Sequence, residues 1–197
     1  MKIATLIVTA TIISLVAFAP VSLFAQAANG PPRASEKPLT PEKNPPGDIP
    51  DDQVFIDYRS PLGFNIKVPE GWARRETSDG ATFNDKYNTI ALVVSQRAEP
   101  LNMANAKQQE INELEKTGKA VRVSGVKSVE LPSGTAVVVS YSSNSEPNPV
   151  TNKAIRVENE RYFFWKNGKL VTLTLSAPLG ADNADQWNLM AKSFRWQ

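Results

Sequence analysis

The chain has 197 residues, 41% hydrophobic and 21% charged, the profile of a folded protein with one ordinary domain and some chain to spare. Lysine and arginine total 22 against 20 acidic residues, a formal net charge of +2, so no charge excess argues for nucleic acid or an anionic surface as partner. Histidine and cysteine are both absent, which excludes thiol nucleophiles, disulfides, Ser–His–Asp catalysis and any zinc, haem or iron–sulfur site that needs imidazole or thiolate.

Lys2 is the only charged residue before Arg33, and residues 3–24 are almost wholly apolar or hydroxylic up to and beyond Pro20. Ala25-Gln26-Ala27 follows. A basic start, an apolar core and small residues at Ala25 and Ala27 predict a secretory signal over 1–27, cleaved after Ala27. The alternative is an uncleaved membrane anchor, since the run is long enough to cross a bilayer at about 20 residues per span. Either outcome places the remainder outside the cytoplasm, and a membrane is a partner only if the segment stays uncleaved. Lipoprotein acylation is excluded with the missing cysteine.

Residues 28–53 hold seven of the fifteen prolines and almost no large apolar side chain. That composition predicts a disordered, PPII-like linker, because it offers little buried surface against the entropy of ordering. The domain proper is then expected over 54–197, with 18 basic and 15 acidic residues and no long run of either sign.

Within it, 54–58 and 64–68 read as short alternating strands bent at Ser60-Pro61-Leu62-Gly63. Residues 89–95 and 134–140 are apolar at consecutive positions, which predicts strands covered on both faces. Residues 102–117 predict a helix opened by Asn102 and stopped by Gly118, with Met103, Lys107, Ile111 and Leu114 on one face. The alternation over 121–131 shifts phase near Gly125, which predicts a bulge. Asn167-Gly168 supplies the two positive-φ residues of a type I′ turn and sets Lys166 opposite Lys169, Phe164 opposite Val171 and Tyr162 opposite Leu173. A last helix is expected over 182–196, with Trp187, Met190, Ala191 and Phe194 to one side. Strands, a helix, more strands and a final helix predict an α+β fold with an antiparallel sheet flanked by helices.

The segments GFNIKVPEGW (63–72), ATFNDKYNTIALVV (81–94), LPSGTAVVVSY (131–141) and KSFRW (192–196), in this order, resemble the PsbP-like family. Its members include extrinsic photosystem II subunits and secreted or lipoprotein bacterial relatives. The resemblance spans 54–197 and implies an α/β/α sandwich, a fold shared with a eukaryotic Ran-binding factor. It implies no single activity, because function on a shared fold lives in sites. The photosystem members handle manganese or calcium partly through histidines, which this chain lacks.

Carboxylates are the remaining ordinary acid–base groups. Glu158 with Glu160, Glu113 with Glu115, and Asp182 with Asp185 are close in sequence. Two-apart glutamates diverge on a helix, and the aspartates fit helix capping. Asp51, Asp52, Asp79 and Asp85 offer oxygen ligands but form no D-x-D-x-D-G loop. Ser133, Ser140 and Ser193 lack a G-x-S-x-G setting, which leaves only a Ser–Lys pairing open. The tryptophans read mainly as core, with Trp72, after the Pro69-Glu70-Gly71 turn, the one candidate for surface contact. The expectation is an exported, non-catalytic binding or accessory module with a protein partner, no nucleic acid, no cofactor and no metal. The alternatives are a photosystem-II-associated PsbP-type subunit or a carboxylate-based calcium or manganese protein or enzyme.

Overall fold

Asn167 (φ +50°) and Gly168 (φ +80°) form the two-residue turn of the central hairpin. It joins β8 (Arg156–Lys166) to β9 (Lys169–Pro178) with Lys166 opposite Lys169, Phe164 opposite Val171 and Tyr162 opposite Leu173, the register expected from the turn. The computed structural model that shows this describes residues 36–197. The signal expected over 1–27, with Ala25 and Ala27, and the first part of the linker lie outside the described residues. Replacing Gly168 by valine puts a β-branched side chain at positive φ, and the domain is expected to lose about 1–3 kcal/mol. A chemical-denaturation midpoint equal to that of the parent would refute the turn assignment.

The hairpin sits inside a seven-stranded antiparallel sheet. Its other strands are β3 (Ala73–Glu76), β4 (Gly80–Asn84), β5 (Thr89–Gln96), β6 (Arg122–Leu131) and β7 (Gly134–Asn144), and the spatial order is β3-β4-β5-β9-β8-β7-β6. A second sheet pairs β1 (Phe55–Ser60), β2 (Phe64–Pro69) and β10 (Arg195–Trp196) in the order β1-β2-β10. The register of β6 on β7 slips between Val123 and Gly125, the expected bulge. β3 and β4 were not foreseen. Every residue of β3, Ala-Arg-Arg-Glu, is exposed, so only its pairing with β4 makes it a strand.

Alternation along β8 and β9 feeds two cores. Tyr162, Phe164, Val171, Leu173 and Leu175 meet Phe64, Ile66 and Val68 of the small sheet and Trp187, Met190 and Phe194 from the end of the chain. On the opposite face Val137, Val139, Tyr141, Phe163 and Leu170 pack against Leu101, Ala106 and Leu114. The helical segment on that side has α1 (Met103–Asn105), a π-helical turn over Ala106–Ile111, and α2 (Asn112–Thr117). Asn102 caps it, accepting from the Ala104 and Asn105 amides at 2.9 and 3.0 Å while Asn105 Oδ1 accepts from Asn102 N at 2.7 Å. The wider π turn moves the apolar stripe out of its α-helical phase, so Ala106 and Leu114 are buried and Met103 is exposed.

Two expectations need correction. Val93 in β5 is 47% exposed beside buried Ile90 and Leu92, so this strand is covered on one face. The helical segment packs on the β6–β9 part of the sheet and does not cover Val93, and an antiparallel sheet can leave its other part to water. The last helix, α3, runs over Ala184–Ser193 and stops short of 196. Phe194 turns extended (ψ 133°), which carries Arg195 and Trp196 into register with Asn65 and Phe64 on β2.

The described part of the proline-rich segment, 36–53, has no helix or strand. It is not a free linker, however. Ile49 is 3% exposed within the first core. Two asparagines of the domain fasten the strap. Asn144 donates to Glu36 Oε1 (3.0 Å) and Lys37 O (2.9 Å) and accepts from Leu39 N (3.0 Å). Asn183 accepts from Ile49 N (2.7 Å) and donates to Gly47 O (3.0 Å). The folded unit thus begins before residue 54. Prolines already restrict φ in the unfolded chain, so ordering such a segment costs less than ordering an average one.

Candidate functional site: a cleft beside the start of α3

α3 covers only part of the first face of the large sheet. Beyond its first turn the faces of β6, β7 and β8 stay open and form the floor of a cleft of about 500 Å³. The register explains which residues reach it. Ser140 lies opposite Glu160, and Ser142 opposite Glu158. Both glutamates share the strand face of Tyr162 and Phe164, because side chains two apart point the same way. Lys127 lies opposite Val138 and Val138 opposite Tyr162, so it rises from the same floor. At the bulge, Ser124 donates from Oγ to Ser140 O at 3.0 Å.

The opposite wall comprises Leu179, Ala181, Asp182 and the start of α3, with Trp187 and Asn188. Backbone bonds hold this loop in place: Leu179 N donates to Arg156 O (2.9 Å) and Asp182 N to Asp48 Oδ1 of the strap (2.8 Å). Asp182 does not serve as the helix cap. That position falls to Asn183, whose side chain instead holds the strap.

Each glutamate is held by one carboxylate oxygen. Gly180 N donates to Glu158 Oε1 at 3.3 Å, and the Tyr162 hydroxyl donates to Glu160 Oε2. Among the described residues no cation forms an ion pair with either. Arg156, two residues before Glu158, directs its guanidinium to Ala120 O (2.7 Å), Asn144 Oδ1 (3.1 Å) and Ser142 Oγ (2.6 Å). Burial, reinforced by the neighbouring Glu160 charge, raises the Glu158 carboxyl above its ordinary range, while the Gly180 N–H partly offsets this. Burial and the bond to Glu160 push the Tyr162 phenol up as well, so it stays a donor.

Of the sequence candidates, the structure brings Glu158, Glu160, Asp182 and Ser140 to one cleft. Ser140 and Lys127 share it, yet no hydrogen bond joins them. Ser193 is structural, accepting from Lys67 N (2.8 Å) and donating to Met190 O (2.6 Å). Asp85 accepts from Tyr87 N, Asn88 N and Asn88 Nδ2, and Asp79 from Thr77 Oγ1, so both tie their own turns. Among the described residues no group of three carboxylates converges as a metal site. Trp72 is half-buried against the first core and does not line the cleft. Lys127 and Asn188 carry no local signal in the sequence, and Trp187, expected as core, is core and lines the cleft as well. The hairpin register held a usable signal for the glutamates, since it sets Glu158 and Glu160 on a face whose next residues, Tyr162 and Phe164, are core.

Among the described residues no helix is long and apolar enough to cross a membrane. No family model and no curated protein matches the sequence. Solved structures do resemble it. The cyanobacterial PsbP (CyanoP) of Synechocystis sp. superposes with a TM-score of 0.52 at 13% identity, covering 77% of this chain and 98% of that one. The Ran-binding protein Mog1p of Saccharomyces cerevisiae superposes with a TM-score of 0.51 at 11% identity, covering 74% of this chain and 96% of that one. Identities this low carry architecture alone: the chain has the antiparallel, helix-flanked α+β fold seen in PsbP and Mog1p.

Proposed function

We propose that the protein is an exported, non-catalytic accessory module that docks a protein partner through the cleft beside α3. The export half rests on Lys2, the apolar run and the small residues at 25 and 27. The docking half rests on one observation above all: Glu158 is half-buried beside Glu160 and, among the described residues, no cation pairs with either, an arrangement that raises its carboxyl and costs folding. A group held against its own stability is characteristic of binding surfaces. The fold of a Ran-binding protein supports the same reading by analogy only.

The test uses Glu158→Gln, which keeps an acceptor for Gly180. A carboxyl whose folded pKa is raised stabilises the fold below its unfolded pKa, and that contribution is lost as pH rises through the folded value. The variant is therefore expected to be more stable than the parent at pH 7, by a few tenths of a kcal/mol given solvent screening of a half-exposed group. The gain should close under acid conditions where both glutamates are protonated. The same variant should lose a photo-cross-link formed from Asn188 in cells, while a cross-linker at Lys166, on the hairpin tip, gives the same background in both. A Glu158→Gln protein less stable than the parent at neutral pH makes the carboxylate structural and removes the basis of the docking proposal.

A further inference from the structure

Resting on that docking reading, we infer that the cleft receives a cationic side chain, a lysine or arginine borne on an extended segment of the partner protein. Charge complementarity is the first argument. Residues 54–197 carry more basic than acidic residues, yet among the described residues the cleft lining has three carboxylates, Glu158, Glu160 and Asp182, against one cation, Lys127. The local field thus opposes that of the domain, and Arg156 is occupied by Ala120, Asn144 and Ser142.

Geometry is the second. Gly180 and Tyr162 each hold one oxygen of a glutamate, which fixes both carboxylates and leaves Oε2 of Glu158 and Oε1 of Glu160 without a donor among the described residues. Two oriented acceptors on neighbouring same-face positions suit an ammonium or a guanidinium, whose several N–H groups need more than one acceptor. Trp187 and Tyr162 close the inner end of the cleft but are only 7% and 5% exposed, so the carboxylates, not ring surface, are what the cleft offers a ligand. Ser140, Ser142 and Asn188 add neutral polar groups for a peptide backbone. A volume of about 500 Å³ is within the range of ligand-sized clefts, so the anchoring side chain enters together with its neighbours.

The test titrates the ¹⁵N-labelled full chain with acetyl-tetralysine amide and, separately, with acetyl-tetraglutamate amide at low salt. Saturable shifts centred on the amides of Ser140, Ser142, Glu158 and Asn188 are expected with tetralysine alone. Glu158→Gln/Glu160→Gln should weaken that binding about tenfold or more, through the loss of charge-assisted bonds, whereas Asp57→Asn on the distant β1 should leave it unchanged. Shifts spread evenly over the acidic surface, equal binding of tetraglutamate, or indifference to the double substitution would each overturn the inference. So would saturation of the same amides by calcium chloride alone at lower concentration, which makes the occupant a metal ion. A concentration-dependent dimer in sedimentation, abolished by the double substitution, makes the occupant a second copy. If tetralysine fails to bind while the Asn188 cross-link persists, the cationic occupant is wrong and the docking reading stands. If both fail, both are wrong.

Discussion

A chain that starts at Val54 is expected to unfold at a markedly lower urea concentration than one that starts at Glu36. Most of the loss should be reproduced by Ile49→Ala alone, at about 2–5 kcal/mol. The reason is position: Ile49 is 3% exposed and belongs to the same core as Phe64, Leu175 and Trp187. Its truncation leaves a hole where the strap meets the domain, and removal of the strap also leaves Asn183 without the Ile49 N–H and Gly47 O partners it has at 2.7 and 3.0 Å. Losing these bonds adds about 0.5–1.5 kcal/mol each, since water reaches the uncovered amide and Asn88 Oδ1 remains its partner at 3.3 Å. The measurement is a pair of urea transitions compared at equal m-value. If midpoints for 54–197 and 36–197 coincide, the strap is an ornament on an independent fold.

The second large effect is expected at Phe194→Ala, at about 3–5 kcal/mol. Phe194 is fully buried. Its ring stacks on Phe164 at 4.0 Å between centroids and 10° between planes, lies 5.6 Å from Phe64, and meets Trp196 edge-on at 5.3 Å. The residue joins three elements at once: the end of α3, the β8 strand and the small sheet. Because Arg195 and Trp196 pair with β2 only after the turn at Phe194, the variant should also detach β10, which amide exchange at Arg195 and Gln197 would report. A variant that keeps the parent's thermal midpoint would mean that the aromatic stack contributes no more than its neighbours can replace.

Local determinants were legible in the sequence, and distant ones were not. The β8–β9 hairpin is specified by Asn167-Gly168 and its flanking alternation, so its register could be derived to the residue. The Gly125 bulge was readable for the same reason, a phase change within ten residues. β3 could not be read, because Ala73, Arg74, Arg75 and Glu76 bury nothing and exist as a strand only through β4. Composition does not reveal the strap, because it counts only what a segment itself can bury. Its fasteners, Asn144 and Asn183, lie about a hundred residues or more further along the chain. The cleft divides in the same way. Glu158 and Glu160 stand out as a pair two apart, but their setting depends on Lys127 from β6 and on Asp182 and Trp187 from the opposite wall of the cleft. No window of sequence contains those three together.

The strap also determines how the domain bears a mechanical load. A pull on the chain ahead of Glu36 reaches the domain first at Asn144, next at Asn183 and Ile49, and only afterwards at β1. Bonds met one after another are peeled singly, at low force, whereas the paired strands beyond them must yield together. Asp48 lies within the second fastening, between Gly47 and Ile49, and its carboxylate accepts from the Asp182 amide in the cleft wall at 2.8 Å. Tension that lifts the strap past Gly47 therefore withdraws that support before any strand separates, so a force applied ahead of the strap reaches the cleft wall before it reaches the sheets.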